Sequence, residues 1–281
     1  MGAITVRQVT AENLADLELC VPRERRNELA FVTGMHEKRR WAVEMLQRWG
    51  TFARIAYRNT VPVGLVQYRP IPGDRAVFIY CIYVPERTHW RRGVGTRLLE
   101  SLIEEVRKPH VWFDHQPARF LVTRTFPGEQ TGQLPAHEFF LRRGFQPVDD
   151  GKTLFYPLEE SIPIAEVKAV VGRGALESLF EERAGTYVPQ AEDRGKALII
   201  YGPSFCPFTY TFWLQGERQI KEIAPRLPIR WINAVAEPAE VTRRGGWVGW
   251  IVNASPIRAF VLDRDSFRRE VREALEGIPP D

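Results

Sequence analysis

A short stretch with two arginines followed by two glycines lies at the start of a predicted helix and has the composition of an anion-binding loop. Residues 91–96 read Arg-Arg-Gly-Val-Gly-Thr and follow an apolar strand that ends at Val84. Glycine adopts backbone conformations closed to other residues and lets the chain approach a ligand closely. The first amides of a helix lack partners within it, and the helix dipole favours negative charge there. With Arg91 and Arg92 beside these amides, the stretch predicts a pyrophosphate site, although a Gly-x-Gly sequence alone also fits a tight strand-to-helix turn.

A second pattern lies further along the chain and favours the ligand-binding interpretation. Six residues at fixed spacing carry it: Gln133, Ala136, Phe139, Phe140, Gly144 and Phe145. Their spacing resembles the Asn-x-x-Ala-x-x-Phe-Tyr-x-x-x-Gly-Phe pattern of the GNAT N-acetyltransferases, where it also follows the glycine loop after one strand and one loop. The order of the upstream strands is similar too. Residues 1–158 therefore resemble a GNAT domain that binds acetyl-coenzyme A (acetyl-CoA).

The resemblance implies a position for each part of the coenzyme. In the family, the central strand separates from the next strand and the pantetheine arm lies in the gap, where a strand amide polarises the thioester carbonyl. The pyrophosphate lies at the glycine loop, and the second helix flanks the coenzyme. The residues implied to bind the coenzyme here are Ile82, Tyr83, Val84, Arg91, Arg92, Gly93, Val94, Gly95, Thr96, Gln133, Phe139 and Phe140.

Two positions depart from the family pattern. Trp90 stands where the family loop usually begins with Gln or Arg, and Phe140 stands where the family commonly has a Tyr that protonates the leaving thiolate. Because backbone amides carry most of the phosphate binding, we expect binding to survive the first change. The second change leaves three alternatives: another group is the acid, the thiolate leaves unaided, or the domain does not catalyse transfer.

Few side chains near these motifs can transfer a proton at neutral pH. The catalytic candidates are Tyr80, on the central strand, and His137, on the second helix, with Tyr83 and His115 as alternatives. A histidine with an ordinary pKa of about 6.5 suits a base at neutral pH. A packing or surface role is the commoner one for each of these residue types, and only geometry decides between the two.

Alternating strands and helices must hold these motifs. The run 76–84 is apolar on both faces and predicts a buried central strand. Apolar residues at helical spacing predict helices over 35–49 and 94–108. The other expected elements are strands at 3–9, 52–59, 62–70, 119–126 and 153–159 and a helix at 135–145. These elements indicate an α/β (α+β) fold class, and the resemblance implies a GNAT mixed sheet flanked by helices.

The rest of the chain predicts a partly helical connector, 159–195, and a smaller α/β domain, 196–281. The smaller domain has the predicted order β-α-β-β-β-α, with Cys206 in a Phe-Cys-Pro sequence between the first strand and helix. This resembles a thioredoxin-like domain, in which the helix stabilises a thiolate at that junction. Thr209 replaces the usual second cysteine, so Cys206 is either a candidate reactive thiol or structural. A GNAT domain followed by such a domain resembles the YoaP-like acetyltransferases.

The charge and cysteine content of the chain indicate which classes of partner and which cellular compartment to expect. The 281 residues include 39 Lys and Arg against 35 Asp and Glu, a formal net charge of +4. This mild balance suits a phosphate-bearing ligand and is too scattered to predict nucleic-acid binding. With no apolar run of membrane-spanning length and no secretory pattern, we expect no membrane partner. Three distant cysteines fit a reducing cytoplasm, and no Cys/His cluster has metal-ligand spacing, so no metal is expected.

Together these patterns predict an acyltransferase that moves an acetyl group from acetyl-CoA to an amine of a small molecule or peptide by direct attack. Two alternatives stay open. The first is an acyl-CoA-binding sensor with a degraded catalytic site, which Phe140 favours. The second is a thiol-redox protein that acts through Cys206. The sequence does not name the acceptor or the oligomeric state.

Overall fold

The computed structural model describes residues 3–125, 134–148, 153–171 and 186–276. These residues divide into two compact units. Residues 3–25 and 42–171 belong to the first unit, and residues 26–41 and 186–276 belong to the second. Within the described ranges, the helices fall short of the length and apolar character needed to cross a membrane.

The first unit contains a mixed sheet. Its strands are Ile4–Gln8 (β1), Ala53–Arg58 (β2), Val61–Ile71 (β3), Ala76–Tyr83 (β4), Phe120–Arg124 (β5), Gln146–Pro147 (β6) and Thr153–Pro157 (β7). They lie in the order β1-β2-β3-β4-β5-β7-β6, and every neighbouring pair is antiparallel except β4 and β5, which are parallel. The predicted class, α/β with a mixed sheet flanked by helices, is confirmed.

Helices pack on this sheet. The helices that contribute residues to this unit are Leu29–Trp49 (α1, from residue 42 onward), Val94–Val106 (α2), Ala136–Leu141 (α3) and Ile164–Val170 (α4). On α2, Leu98, Leu102 and Val106 recur at helical spacing and are fully buried. They pack in one apolar cluster with Val66 and Val77 of the sheet. Burial of this face fixes α2 on the sheet and therefore fixes the loop that precedes it.

Helix α1 is longer than the sequence predicts. Its predicted start was residue 35, and the structure begins it at Leu29. Gly34 explains the difference, because a Cβ built there would lie 2.1 Å from the carbonyl oxygen of Pro207, within the second unit. Close packing of the helix on that backbone stabilises a turn that local propensity does not favour.

The second unit contains a smaller mixed sheet. Its strands are Ala197–Tyr201 (β8), Ile229–Asn233 (β9), Gly249–Val252 (β10) and Ser255–Ile257 (β11), and its helices are Thr209–Ile223 (α5), Pro238–Arg243 (α6) and Arg264–Leu275 (α7). The sheet order is β11-β10-β8-β9, with β8 and β9 parallel and the other pairs antiparallel. The element order is the predicted one, with α6 as an addition that the sequence pattern did not indicate.

The last strand of this sheet begins and ends earlier than the sequence pattern indicates. The mostly apolar run 257–262 indicates a strand after a turn at 253–256, but β11 covers Ser255–Ile257. The backbone amides of Arg258 and Ala259 instead donate hydrogen bonds to Glu270 Oε2, at 2.6 and 3.0 Å. A side chain of α7 therefore takes the place of a strand partner and turns the chain out of the sheet.

A buried ion pair ties residues before β8 into the second unit. Asp193 and Arg244 are both fully buried, and the guanidinium donates to both carboxylate oxygens, at 2.8 and 2.6 Å. The Tyr187 hydroxyl donates to the same carboxylate at 3.0 Å. Burial, followed by the bond to Asp193, raises the pKa of Tyr187 to about 12. Residues 187–193, which we expected in the connector, thus contribute to the core of the second unit.

Candidate coenzyme-binding site

Strands β4 and β5 separate in the middle of the first sheet. They pair over four positions, from Ala76 with Phe120 to Ile79 with Thr123, while β4 continues to Tyr83. The Thr123 hydroxyl donates to the carbonyl oxygen of Ile79 at 3.0 Å in a buried position. This side chain supplies a partner to the last paired carbonyl, so the two strands diverge beyond it without leaving that group unsatisfied.

A β-bulge lies at the point of separation. The register of β3 with β4 pairs Gln67 with Cys81 and Tyr68 with Ile79, which leaves Tyr80 as the extra residue. A bulge bends its strand and increases the local twist. Tyr80, one of the two catalytic candidates, is partly exposed, and its ring packs edge-on against Phe78 with the centroids 5.0 Å apart.

The loop after β4 leads into an unpartnered helix terminus. Gly93 has φ of +78° and caps α2, and Arg91 also has a positive φ, +55°. The first backbone bond of the helix runs from Arg97 N to Gly93 O at 2.9 Å. Within the described part of the chain, the three amides before Arg97 (residues 94–96) have no acceptor. These donors and the helix dipole can bind an anion.

Trp90 fastens the beginning of this loop. Its indole Nε1 donates to the carbonyl oxygen of Val84 at 2.7 Å, and the Arg87 guanidinium lies 5.6 Å from the centre of its ring. The loop therefore has a defined path although Trp90 departs from the family pattern. Nearby, burial and then repulsion from Arg58 and Arg92 lower the pKa of His89, which keeps that ring neutral at pH 7.

Gly95 brings three of the predicted residues together. A Cβ built on Gly95 would lie 3.0 Å from Cε2 of Phe139 and 3.8 Å from Cγ2 of Ile82. Because no side chain intervenes, the first turn of α2 lies directly against the ring of Phe139. The loop, the end of β4 and helix α3 thus meet at Gly95.

Arg143 joins the same elements and was not found from the sequence. Its guanidinium carbon lies 3.9 Å from the centre of the Phe139 ring, and Nη1 donates to the Phe139 carbonyl oxygen at 2.9 Å. Nε donates to Thr96 Oγ1 at 3.2 Å, and Nη2 donates to the same oxygen. Burial lowers the pKa of Arg143. Since Arg143 and Thr96 are far apart along the chain, no local pattern could have revealed their contact.

An open cleft lies beside the loop, between Arg91 and one face of α3. Its volume is about 390 Å³, and its lining residues are Arg91, Leu134, Pro135, Glu138 and Arg142. Arg142 also forms an ion pair with Glu138. The cleft combines apolar side chains with two arginines and one glutamate, and Arg91 belongs to the loop that leads to the unpartnered amides. Gln133, predicted to flank the coenzyme, lies outside the described residues.

Phe140 and His137 lie on α3. Phe140 is 4% exposed and packs between the rings of Phe139 and Phe145, at centroid distances of 5.2 and 4.8 Å. His137 is partly exposed and has no hydrogen-bond or ion-pair partner among the described residues. His115, the alternative candidate, lies in a turn with a positive φ of +61°. A metal-binding group of three or more His, Cys, Asp or Glu side chains is not found in the described ranges.

Cys206 belongs to the second unit and lies three residues before α5. It is partly exposed, and its backbone amide donates to Ser204 Oγ at 3.3 Å. The hydroxyls of Ser204 and Thr209 are 2.8 Å apart in a buried position. Thr209, at the place of a second cysteine, therefore makes a hydrogen bond within the loop.

Residues 14–145 match the model of the acetyltransferase (GNAT) family. A search of curated proteins found no match. Among solved structures, the chain is similar to Ard1 from Thermoplasma volcanium at 16% identity and a TM-score of 0.39, with 56% of this chain and 99% of that chain covered.

Two further solved structures are similar at the same level. The PaiA N-acetyltransferase from Thermoplasma acidophilum, in complex with coenzyme A, has 13% identity and a TM-score of 0.39, covering 55% of this chain and 99% of that chain. A GNAT-family acetyltransferase from Staphylococcus aureus has 12% identity and a TM-score of 0.41, covering 56% and 100%. At such low identity and TM-scores these structures carry no weight for function. The family match supports a GNAT acetyltransferase domain, and hence an acyltransferase, over a little under half of the chain.

Proposed function

We propose that residues 1–158 bind acetyl-CoA and transfer its acetyl group to an amine of a small molecule or peptide. One observation carries the proposal: β4 extends beyond its pairing with β5, and the loop of residues 84–93 then leads to a helix terminus with three unpartnered amides. A gap between strands accommodates a narrow arm, and the amides accommodate a pyrophosphate. The GNAT match over residues 14–145 supports this assignment.

The proposed coenzyme follows the surfaces described above. Its pantetheine arm lies along residues 82–84, and its pyrophosphate lies at residues 91–96. Phe139 flanks it from α3, with Phe140 behind that ring. The adenosine end lies toward the cleft lined by Arg91 and Pro135, and Gln133 remains a proposed contact from the sequence alone.

The proposed reaction is a direct attack. The neutral amine adds to the thioester carbonyl carbon while an amide of β4 donates to the developing oxyanion. The C–S bond then breaks, the electrons leave with the coenzyme thiolate, and the nitrogen loses its proton to a base. Tyr80 and His137 are the proposed proton-transfer groups. Phe140 has no proton to give, and a free thiol has a pKa of about 8.5, so unaided departure of the thiolate is feasible.

The first test measures binding. Acetyl-CoA at about 100 times its dissociation constant adds roughly 2.7 kcal/mol of stability, so the melting temperature of the full chain should rise with ligand concentration. A Cβ at Gly93 would meet no atom within 4 Å. Gly93→Asp therefore adds a carboxylate without a clash, and Gly93→Asn is the matched control with the same backbone strain.

We expect the Asp variant to bind acetyl-CoA at least tenfold more weakly than the Asn variant, because a negative charge faces the pyrophosphate. Equal affinity of the two variants would contradict the proposed phosphate position. Release of free coenzyme A against a panel of amines then tests transfer. A parent protein without any acetyl-CoA-dependent stabilisation would refute the proposed function altogether.

A second function, an acyl-CoA sensor without transferase activity, is favoured by Phe140. This residue is buried among Phe139 and Phe145 at the position where a proton donor is expected. A sensor would bind acetyl-CoA with a clear thermal shift and release no coenzyme A with any amine in the panel. Turnover well above the rate without enzyme would exclude it.

We further propose that the second unit is thioredoxin-like and that the chain resembles the YoaP-like group. The strand order β11-β10-β8-β9, with β8 and β9 parallel, and the position of Cys206 before α5 support this. Thr209 argues against dithiol exchange. A thiol pKa below 7 by pH-dependent alkylation of Cys206 would favour a reactive thiol, and an ordinary value would favour a structural one. The sparse cysteines support a cytoplasmic location.

A further inference from the structure

Arg143 is held in one orientation by two elements of the first unit. Its Nη1 donates to the carbonyl oxygen of Phe139 at 2.9 Å, and its guanidinium carbon lies 3.9 Å from the centre of the Phe139 ring. Its Nε donates to Thr96 Oγ1 at 3.2 Å, and Nη2 is directed at the same oxygen. The guanidinium therefore links the end of α3 to the first turn of α2, next to the proposed pyrophosphate site.

These bonds determine the direction of the Thr96 hydroxyl proton. A hydroxyl oxygen has two acceptor lone pairs and one O–H donor. With two N–H groups of Arg143 on the oxygen, the proton must leave in another direction. No acceptor for it occurs among the described residues, including the carbonyl groups of the preceding turn. Thr96 is the third residue of α2, beside the amides of residues 94–96 that also lack acceptors.

We propose that Arg143 is a positioning residue for the coenzyme pyrophosphate, because it turns the Thr96 hydroxyl into a donor toward that group. It also places a fixed positive charge behind this hydroxyl. The inference rests on the proposed function, since it assigns a further donor to the same phosphate site. Charge-assisted hydrogen bonds are stronger than neutral ones, so this donor should contribute measurably to affinity.

Another role for Arg143 would be to connect α2 and α3 without any effect of its own on the ligand. The two roles differ in which ligands they affect. Loss of a structural connection weakens every part of the coenzyme site, including the gap that holds the pantetheine arm. Loss of the hydroxyl donor weakens only ligands that carry the pyrophosphate.

The experiment measures the affinity of the full chain for coenzyme A and, at millimolar concentration, for pantetheine, which lacks the pyrophosphate. Thr96→Val and Arg143→Gln should each bind coenzyme A about tenfold more weakly. The affinity of the double variant for coenzyme A should be within about threefold of that of the weaker single variant, because both changes remove the same donor. The affinity of all three variants for pantetheine should stay within about threefold of that of the parent.

Conservative variants and one control complete the design. Thr96→Ser keeps the hydroxyl, so its affinity for coenzyme A should be within about threefold of that of the parent. The affinity of Arg143→Lys should fall between those of the parent and Arg143→Gln. Arg97→Gln is the matched control. It removes the same charge one residue from Thr96, on a side chain that is 58% exposed and paired with Glu100. It should bind within about threefold of the parent at 0.15 M salt, because exposed charges are screened.

Three results would overturn the inference. The first is a double variant about a hundredfold weaker than the parent, since that would mean independent effects. The second is an equal loss of pantetheine affinity, which would show a structural connection only. The third is an Arg143→Gln variant that binds coenzyme A like the parent. A parent chain that binds neither coenzyme A nor acetyl-CoA is a different outcome, because it refutes the proposed function itself.

Discussion

Replacement of Gly95 by alanine offers a direct test of how α2 and α3 meet. The added Cβ would lie 3.0 Å from Cε2 and 3.3 Å from Cζ of Phe139, closer than ordinary van der Waals contact, and 3.8 Å from Ile82. The ring cannot easily yield, because the guanidinium carbon of Arg143 lies 3.9 Å from the ring centre and the Phe140 ring packs against it at a centroid distance of 5.2 Å. Over-packing of this kind costs about 1–3 kcal/mol.

The helix gains something in return. Alanine is favoured over glycine by up to about 1 kcal/mol in a helix interior, and by less in the first turn. The expected net loss of stability is therefore about 0–3 kcal/mol, which lowers the melting temperature by up to about 12 °C for a domain of this size. If Phe139 and Ile82 flank the coenzyme, its affinity falls as well.

A double-mutant cycle separates the clash from other effects. In the background of Phe139→Ala, the ring is absent and the added methyl group at Gly95 has space. The coupling energy between the two changes should be about 1–3 kcal/mol in favour of the double variant, as measured by urea unfolding. Gly73→Ala is the matched control, because a Cβ there would meet no atom within 4 Å. A Gly95→Ala variant more stable than the parent, or a coupling energy near zero, would refute this account of the packing.

Three further predictions concern buried side chains. Phe140→Tyr adds a hydroxyl to the core, so the free energy of unfolding should fall by about 1–3 kcal/mol. Turnover should change by less than about tenfold, and a hundredfold gain would show that an acid is needed at this position. Asp193→Ala removes the carboxylate that accepts from Nε and Nη2 of the buried Arg244 guanidinium, which keeps Glu240 as a partner of Nη1 at 2.9 Å. Urea unfolding should therefore show a loss of about 3–5 kcal/mol in the free energy of unfolding, and a loss below about 1 kcal/mol would contradict this account of the buried pair. Burial first, and then bonds to Asp residues, raise the pKa of Tyr57 and Tyr187 to about 12. The stabilisation of the fold by these two protonated hydroxyls is present below pH 10 and is lost as the pH rises toward 12. The free energy of unfolding in urea, measured over this pH range for Tyr57→Phe, Tyr187→Phe and the parent, tests this, and the same pH dependence in all three would exclude it.

Local sequence patterns were sufficient for the elements that form the proposed site. The buried faces of α2 repeat at helical spacing, and the apolar run of β4 predicts a central strand. Gly93 marks the start of α2 because its positive φ suits glycine. Each of these features depends on residues that are close together along the chain, so the local sequence is enough to predict it.

Contacts between distant residues were not predictable in the same way. The bonds from Arg143 to Thr96 need both α2 and α3 in place, and neither residue belongs to a motif that pairs them. The early start of α1 depends on the approach of Gly34 to the backbone of Pro207, and the early end of β11 depends on Glu270. In each case tertiary packing overrides local preference. The bulge at Tyr80 likewise follows from strand pairing, since an apolar run reads the same with or without an extra residue.

That bulge also limits which changes of length β4 can tolerate. Side chains of a strand alternate between the two faces of the sheet, so the extra residue at Tyr80 inverts the alternation between the two halves of β4. Deletion of one residue there would restore a regular strand and turn residues 81–83 to the opposite faces, although every amino acid of the proposed site would still be present. An insertion or deletion in this short segment is therefore far more damaging than the same event in the turn at residues 59–60, and chain length at the centre of β4 is as much a part of the site as residue identity.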